Sequence, residues 1–421
     1  MKIVLIGAGS RCFGRGQIAD ILQEKELCGR NVELHLVDID AKALDTIFKV
    51  AERIRQHTGS DITIHHSTDR TKALPGADYV FVSVARRRLE LWEQDFRVPL
   101  AHGFRHCLGE NGGPGAVFHA MRSLNIIIPI CRDIEKLCPN ALVFNFSNPE
   151  ARVLHAINNL TKVKAVGICH GIFSAHKAIA NYLKRPIEEF EVVSAGMNHF
   201  YCIMQVKDRK TGREYLPELV EKAAADRTHP LFQKLAEIFG VFSFPSDDHI
   251  GEYLSYGSEF HGVKWPYGLE SRAVGTPPRS NSIPGFEDYA GGKKPVDKLL
   301  LRPSGEIAVP IMTDLELGRH ARRAAVDVLN TGGYISNLPR TAIVEVPADI
   351  HDKAIHPVHV GDIPETFAAI MRTHFSIHAL LTEAYRTGSK KLLLQALLLD
   401  PAVNSITEAG KMLEEIVGSG E

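Results

Sequence analysis

The chain has 421 residues, with 49 lysines and arginines against 50 aspartates and glutamates, so its formal net charge is −1. This balance argues against nucleic acid and anionic membrane surfaces as partners, because proteins that bind them usually carry a basic surplus. No stretch approaches the ~18 apolar residues of a membrane span. The seven cysteines form no CxxC pair, and the N-terminus lacks the layout of a secretory signal. We therefore expect a cytoplasmic protein with reduced thiols.

Apolar strand-like runs alternate with helix-like segments in the first half of the chain. Strands are predicted at residues 2–6, 32–37, 62–65, 79–84, 141–146 and 163–168. Helices are predicted at residues 16–27, 40–57, 115–137, 151–160 and 174–183. Strands that alternate with helices at this spacing predict an α/β fold with a doubly wound parallel sheet, the Rossmann arrangement.

The pattern changes near residues 191–206, where two short strand-like runs flank the sequence GMNH at 196–199. The second half is predicted to be mostly helical. It is interrupted at residues 257–304 by a stretch rich in Gly, Pro and Ser, which is either disordered or a functional loop over a site. Residues 365–417 have the pattern of amphipathic helices. We predict two domains, at residues 1–197 and 198–421.

The sequence GAGS at residues 7–10 follows an apolar strand and precedes a helix, which is the context of a dinucleotide-binding turn. Gly7 and Gly9 let the backbone approach a pyrophosphate, and Ser10 leads into the helix N-terminus. Cys12 stands where the fingerprint has its third glycine. Asp38 ends the second strand, where a carboxylate binds the ribose hydroxyls of NAD and repels the 2′-phosphate of NADP. The alternative is a tight turn beside an ordinary loop aspartate.

Four polar segments lie at the ends of predicted strands, at residues 109–115, 145–149, 167–171 and 196–199. Because ligand sites in open α/β sheets form outside the carboxyl ends of the strands, these segments are candidates for one site. The Cys169 thiol, the His199 imidazole and a nearby carboxylate suit a borderline divalent cation such as Mn²⁺ or Zn²⁺. From spacing alone, a buried structural cysteine and an ordinary hydrogen-bonded histidine remain the favoured interpretations.

Eight pieces of the sequence resemble glycoside hydrolase family 4, the NAD- and metal-dependent glycosidases that do not use the usual pair of carboxylates. In family order they are GAGS (7–10), WEQDFRVP (92–99), ENGGPG (110–115), SNP (147–149), CHG (169–171), GMNH (196–199), DHIGEY (248–253) and NLPRTAIVEVP (337–347). Cys-His-Gly resembles the α-glucosidase and α-galactosidase branch. The resemblance implies a lactate/malate dehydrogenase-like fold, with an N-terminal NAD-binding Rossmann domain and a C-terminal mixed α+β domain.

The resemblance also implies the cofactors and a cycle of reactions. Sugar C3 is oxidised by NAD⁺, a base removes the C2 proton, and the C1 glycosidic bond breaks by elimination while Mn²⁺ or another divalent cation stabilises the enediolate. Water then adds, and C3 is reduced again. By similarity, Cys169 and His199 bind the metal, Asp248 is the C2 base, and His170 is the acid for the leaving group.

Further site residues are implied on the sugar side. Glu110 matches a site carboxylate, and Asn148 and His249 match contacts to the substrate. The division of acid and base roles among Glu110, His170, Asp248 and His249 stays open. The competing interpretation of residues 247–249 is a cluster that caps a helix, which can hold for Asp247 in either case.

Arg86-Arg87-Arg88 follows the strand that should end near the nicotinamide. Arg86 is predicted to bind cofactor phosphates or an anionic substrate group; the alternative is a solvated charge run. Within residues 257–304, the cations Lys264, Arg272, Arg279, Lys293 and Lys294 are a second possible source of an anionic-sugar pocket. Trp92 and Trp265 are expected to pack in the core rather than on a sugar.

The leading hypothesis is an NAD- and Mn²⁺-dependent α-glycosidase that acts on a small glycoside. One alternative is a glycosidase specific for a 6-phospho, uronic or 6-sulfo sugar. Another is an NAD-dependent sugar or 2-hydroxyacid dehydrogenase, which would accumulate NADH, and a third is a binding protein without catalysis. We expect a homodimer or homotetramer, with the C-terminal helices as its interface.

Overall fold

The computed structural model describes residues 1–10, 13–261, 265, 283 and 285–418. In these residues the strands are β1 (Lys2–Ile6), β2 (Glu33–Val37), β3 (Thr63–Ser67), β4 (Tyr79–Val82), β5 (Leu142–Asn145), β6 (Lys164–Gly167), β7 (Phe190–Met197), β8 (Phe200–Asp208), β9 (Phe242–Ser243), β10 (Ala321–Leu329), β11 (Ile343–His351) and β12 (Ala354–Pro357). The positions of Cys12, Lys264, Arg272 and Arg279, which the sequence singled out, lie outside the described residues.

The helices complete the description of the secondary structure. They are α1 (Phe13–Gln23), α2 (Ala41–Thr58), α3 (Arg70–Ala73), α4 (Arg88–Ala101), α5 (Gly113–Leu137), α6 (Glu150–Leu160), α7 (Ile172–Leu183), α8 (Leu216–Ala224), α9 (Pro230–Phe239), α10 (Asp247–Gly251), α11 (Gly257–His261), α12 (Phe286–Ala290), α13 (Ala308–Leu317), α14 (Glu365–Thr387), α15 (Lys390–Leu399) and α16 (Ile406–Gly418).

The first half of the chain forms the parallel part of the sheet. Its strand order is β3-β2-β1-β4-β5-β6, which is the Rossmann order, and every neighbouring pair is parallel. All the strands and helices predicted for this half are present, with ends that differ by a few residues. Helices α3 and α4 were not predicted; α3 spans four residues, and α4 contains Pro99, which weakens a helical pattern.

The same sheet continues into the second half through antiparallel strands, in the order β10-β11-β7-β8-β9, with β12 on β11. Asp327 of β10 pairs with Gly167 of β6, and Glu345 of β11 pairs with Gly196 of β7. The second half is therefore less helical than predicted, since β10 to β12 become strands by pairing with distant segments. The predicted division after residue 197 falls in the turn between β7 and β8, and it stays a prediction.

The central strands β1 and β4 are buried on both faces, as expected for a doubly wound sheet, whereas the edge strand β3 is mostly exposed. Ile3 and Leu5 of β1 pack on the side of α2 with Ile47, whereas Val4 of β1 packs on the side of α5 with Ile127. Because both of their faces are buried, these strands are continuous apolar runs in the sequence. A cofactor site is therefore expected at the carboxyl ends of these central strands.

The C-terminal helices α14, α15 and α16 confirm the amphipathic pattern predicted for residues 365–417. Their apolar faces form one cluster with residues that precede and enter α5, including Ile377, Leu381, Leu397, Met412, Leu413, Phe104 and Val117. Among the described residues, no helix combines the length and apolar character needed to cross a bilayer. The packing anchors the C-terminal helices next to α5, the helix that follows the ENGGPG segment.

Candidate active site

The turn between β1 and α1 needs glycine for steric reasons. Gly7 has a φ of 89°, and a Cβ at this position would lie 1.9 Å from the carbonyl oxygen of Ser83. The amide of Gly9 donates to Asp38 Oδ2 at 2.8 Å, which ties the turn to the end of β2. Ser10 Oγ accepts from the Phe13 amide at 3.2 Å and so satisfies a donor at the start of α1. Gly7, Gly9 and Ser10 thus form one turn that is tied to Asp38.

A cavity of about 440 Å³ opens in front of this turn. The predicted residues that line it are Gly7, Ser10, Asp38, Arg86 and Asn148. Its remaining wall includes apolar side chains, among them Val37, Ile39, Ile126, Ile130 and Phe146. These features fit a dinucleotide: the backbone at Gly7 leaves no room for a Cβ, a carboxylate stands at the end of β2, and the wall is apolar.

Cys169 and His199 lie together although 30 residues separate them. Cys169 follows β6 and His199 lies in the turn between β7 and β8 with a φ of 60°, so that Sγ is 3.2 Å from Nε2. The Asn111 side-chain Nδ2 lies 3.4 Å from His199 Nδ1. Burial, followed by the charge of His249, lowers the pKa of His199 to about 3, so the imidazole is neutral.

The chemistry of this pair fits a divalent cation. Burial, together with Glu306 and Glu345, raises the pKa of Cys169 well above its ordinary value, so the thiol needs a nearby cation to ionise. In the part of the chain that the structure describes, no third His, Cys, Asp or Glu donor joins the pair within 4.8 Å. A cation held by these two side chains would have its other coordination positions open to substrate oxygens and water.

Glu110 connects the cofactor cavity with the thiol–imidazole pair. Its Oε1 accepts from Arg88 Nη2 at 2.9 Å and from Asn148 Nδ2 at 3.0 Å. Burial acts to raise the pKa of Glu110, but Arg88 and the neighbouring histidines hold the pKa below its ordinary value. Glu110 is therefore an ionised, buried acceptor between Asn148, which lines the cavity, and the loop that carries Asn111.

Asp248 and His249 approach the pair from α10. Asp248 Oδ1 accepts from Ser246 Oγ at 2.6 Å and lies 2.8 Å from His249 Nδ1. The His249 ring stands edge-on to the His199 ring at 4.8 Å. Burial acts to lower the pKa of His249, but Asp248 raises it to about 9. Asp247 has a structural role, since its carboxylate accepts from the first amides of α9.

His170 lies next to Cys169 and has an acidic partner. Its Nδ1 is 2.6 Å from Glu306 Oε1, a hydrogen bond that raises the pKa of His170. The side chain is 57% exposed, so the ring is accessible from the solvent side of the site. The arrangement provides a histidine able to carry a proton at the mouth of the site.

Comparison with known proteins identifies the family. The model of the family 4 glycosyl hydrolases matches residues 2–185, and the model of their C-terminal domain matches residues 194–403. The chain belongs to glycoside hydrolase family 4. This family 4 enzyme is 30% identical to an alpha-glucosidase of Erwinia rhapontici over 99% of this chain and 97% of that protein. It is 31% identical to an alpha-galactosidase of Rhizobium meliloti (strain 1021), over 99% and 87% of the two chains.

Solved structures agree on the fold of the family 4 enzyme. A 6-phospho-alpha-glucosidase from gut microorganisms, in complex with NAD and Mn²⁺, superimposes with a TM-score of 0.82 at 21% identity, over 100% of this chain and 98% of that one. The malate dehydrogenase of Plasmodium falciparum gives a TM-score of 0.56 at 14% identity, over 93% and 99%. The fold is thus the Rossmann type of the lactate and malate dehydrogenases. The fold, family and enzyme class predicted from the sequence are confirmed.

The structure of the family 4 enzyme shows residues that support the site and that the sequence analysis did not identify. Glu252 Oε2 accepts from the successive amides of Glu110, Asn111 and Gly112, at 2.7, 2.7 and 2.9 Å. The next amide, of Gly113, bonds to the buried Asp400. Two carboxylates from the second half of the chain therefore hold the ENGGPG segment. Glu252 could have been recognised as a site residue, because it lies one helical turn after Asp248. Nothing in the sequence pointed to Asp400 or to Glu306.

Two of the three arginines face the cofactor cavity. Arg86 and Arg88 both line it, Arg88 also binds Glu110, and Arg87 pairs with Glu90. Trp92 and Trp265 are buried and pack edge to face at 5.1 Å, which confirms the packing role expected for them. The Lys294 carbonyl binds Arg53 of α2, and its ammonium lies over Tyr289 at 5.3 Å. Lys294 thus contacts both α2 and α12.

Proposed function

We propose that this family 4 enzyme hydrolyses a small α-glycoside by transient oxidation of the sugar at C3, with NAD and a divalent cation such as Mn²⁺. The observation that carries the proposal is the continuous path from the glycine turn to the thiol–imidazole pair. In that path, Asn148 lines the cavity and binds Glu110, and the adjacent Asn111 binds His199, which contacts Cys169. The relatives named alpha-glucosidase and alpha-galactosidase support the α-configuration.

Gly7, Gly9 and Ser10 hold the pyrophosphate of NAD in this proposal, while Asp38 binds the ribose hydroxyls. Arg86 lines the same cavity and supplies a cation for the cofactor phosphates. Asp38 Oδ2 already accepts from Gly9, so the carboxylate also sets the shape of the turn. The apolar wall of the cavity excludes water from the rest of the cofactor.

Cys169 and His199 hold the metal. When bound, NAD⁺ supplies a reversible hydride acceptor for C3, and the cation supplies Lewis-acid polarisation of the sugar oxygens. Glu110 and Asn148 bind and orient sugar hydroxyls, as their mutual hydrogen bond places an acceptor and a donor side by side. His249 lies beside His199 and contributes a further substrate contact.

Asp248 and His170 move the protons. The Asp248 carboxylate takes the proton from C2, which the C3 ketone has made acidic, and the neighbouring His249 stabilises the charge of that carboxylate. His170 uses Nδ1 to bind Glu306 and has Nε2 to protonate the leaving oxygen at C1. Water then adds to C1 and a proton returns to C2; reduction of the C3 ketone, with a proton to O3, would restore the bound NAD⁺, so no cofactor is consumed.

The test is a panel of α- and β-nitrophenyl glycosides assayed with NAD⁺, Mn²⁺ and a thiol reductant. The panel contains neutral glucosides and galactosides together with 6-phosphate, uronate and 6-sulfo versions. We expect nitrophenol release from an α-glycoside only when NAD⁺ and the cation are both present, with no NADH at steady state. Activity that survives EDTA treatment and removal of NAD⁺ would contradict the proposal, and stoichiometric NADH would favour a dehydrogenase.

Two cysteine variants sharpen this test. Cys169→Ser should abolish turnover that depends on the cation. Cys28→Ser is the matched control, because Cys28 is an exposed thiol in the loop that precedes β2. Equal activity of the two variants at limiting cation would remove Cys169 from the metal site.

We further infer a cytoplasmic homodimer or homotetramer that uses the C-terminal helices. Leu399 of α15 and Ile406 at the start of α16 are large apolar side chains that are 41% and 68% exposed. Their replacement by Ser should release monomers, measured by sedimentation velocity. An unchanged sedimentation coefficient would place the interface elsewhere.

A further inference from the structure

We propose that the edge of the nucleotide-binding sheet carries a second divalent-metal site, formed by Glu33, His35 and His65. This site is distinct from the Cys169–His199 pair and takes a borderline transition cation such as Zn²⁺, Ni²⁺ or Cu²⁺. Among the described residues, it is the group of three potential ligands whose donor atoms all lie within 4.8 Å of one another. The inference does not depend on the proposed glycosidase mechanism.

The strand geometry brings the three side chains together. Glu33 and His35 are two residues apart on β2, so their side chains leave the same face of the sheet. His65 is the register partner of His35 on the parallel neighbour β3. The two imidazole rings stack with centroids 4.6 Å apart, and His35 Nε2 lies 3.0 Å from Glu33 Oε2. Regular backbone pairing therefore holds two nitrogen donors and one oxygen donor side by side.

The donor set suits a borderline cation. Two imidazoles and one carboxylate are a common zinc ligand set, which leaves a fourth position for water. Mn²⁺ binds such a site more weakly than Zn²⁺, Ni²⁺ or Cu²⁺ because it stands lowest in the order of divalent affinities.

The site is open to solvent but is not wholly exposed. The Glu33 side chain is 51% accessible, whereas that of His35 is 15% accessible. A hydrated cation can reach the carboxylate without opening the fold, while the imidazole is already oriented. Lys2 of β1 is the register partner of Glu33, and its positive charge opposes a bound cation. Its ammonium is nevertheless directed to the Pro75 carbonyl at 2.9 Å.

A cation bound at this position would stabilise the edge of the sheet. β3 is the edge strand of the sheet, and β2 is its one neighbour in the strand order. A cation shared between His65 and the two β2 ligands ties this edge to the interior of the sheet. His35 also lies two residues before Val37, which lines the cofactor cavity. We therefore expect the cation to raise the thermal stability of the enzyme.

The experiment measures binding of Zn²⁺ alone to the full-length, metal-stripped enzyme. Isothermal titration and elemental analysis after desalting are applied to wild type, His65→Ala and His66→Ala. His66 is the matched control, because it is the next residue of β3 and its ring packs on Phe48 at 4.2 Å. We expect His65→Ala to bind one equivalent of Zn²⁺ fewer than wild type, and His66→Ala to bind as many as wild type.

Thermal shift with Zn²⁺ supplies a second readout. Wild type and His66→Ala should gain thermal stability from the cation bound at this edge, and His65→Ala should lose that gain. Glu33→Gln replaces His65→Ala if the latter does not fold. Equal Zn²⁺ stoichiometry and equal affinity in the ligand variant and in wild type would overturn the proposal. The measurements need neither NAD nor substrate, so their failure is distinguishable from failure of the proposed glycosidase function.

Discussion

Glu252 offers a direct test of how the loop that carries Glu110 and Asn111 is held in place. Its Oε2 is the shared acceptor of three successive amides of that loop. The loop has little room to relax, because a Cβ at Gly112 would lie 2.5 Å from the Glu252 carbonyl oxygen. We therefore compare Glu252→Ala, which removes the acceptor, with Glu252→Gln, which keeps an oxygen in its place.

The magnitude follows from the number of donors that lose their partner. A buried amide without an acceptor costs about 1–3 kcal/mol. Three amides that share one oxygen do not add independently, so we expect Glu252→Ala to lower the free energy of unfolding by about 4 kcal/mol. Because the loop positions Glu110, we also expect a loss of turnover on the order of 100-fold. Glu252→Gln should stay within about 1 kcal/mol of wild type near neutral pH.

The pH dependence of stability separates the charge of Glu252 from its role as an acceptor. Burial, opposed by His249 and the loop amides, raises the pKa of Glu252 from 4.5 to about 8 in the folded enzyme. A raised folded-state pKa means that the proton stabilises the fold, so this contribution is present below pH 4.5 and is lost as the pH rises to about 8. Glu252→Gln mimics the protonated form and should flatten this slope.

The assay combines urea unfolding between pH 5 and 9 with turnover at saturating NAD⁺ and Mn²⁺. Glu259→Gln is the control, because Glu259 is an exposed residue of the neighbouring α11 and should change stability by less than about 0.5 kcal/mol. Wild-type stability and turnover in Glu252→Ala would refute the reasoning. Equal losses in the Ala and Gln variants would show that charge, rather than the position of the acceptor oxygen, holds the loop.

Three further predictions concern other parts of the enzyme. Gly7→Ala should weaken NAD binding at least about tenfold, measured by fluorescence titration, because the new Cβ meets the Ser83 carbonyl in a left-handed turn; wild-type affinity would contradict this. His199→Ala should abolish cation-dependent turnover but leave NAD affinity within about twofold, since the glycine turn is a separate element; a large loss of NAD affinity would show that the two sites are coupled. His102 binds Glu408 and Glu415 of α16, which raise its pKa against the effect of burial. The stability gained from this contact is lost as the pH rises above the raised pKa, so His102→Gln should reduce the fall in melting temperature between pH 6 and 9; an unchanged fall would assign the slope to other groups.

The parallel half of the sheet and the glycine turn could be predicted because their signals are local. A strand buried on both faces is a continuous apolar run, and the dinucleotide turn needs glycine where a Cβ meets the next strand, as at Gly7. The prediction was less accurate for the second half, where β10 and β11 are stabilised by pairing with each other and with β6 and β7. Such pairing depends on distant partners, which local periodicity does not report.

The same distinction applies to the site. The sequence by itself identified the residues that we propose bear the chemistry, because motifs such as Cys-His-Gly keep those residues next to each other in the chain. Only the tertiary structure decided which groups hold them and set their protonation. Glu306 lies 136 residues from His170, and Glu252 lies 142 residues from the Glu110 amide that it binds. Hydrogen bonds and desolvation act over a few ångströms in space, whatever the separation along the chain, so these partners became visible only once the sheet had brought the two halves together.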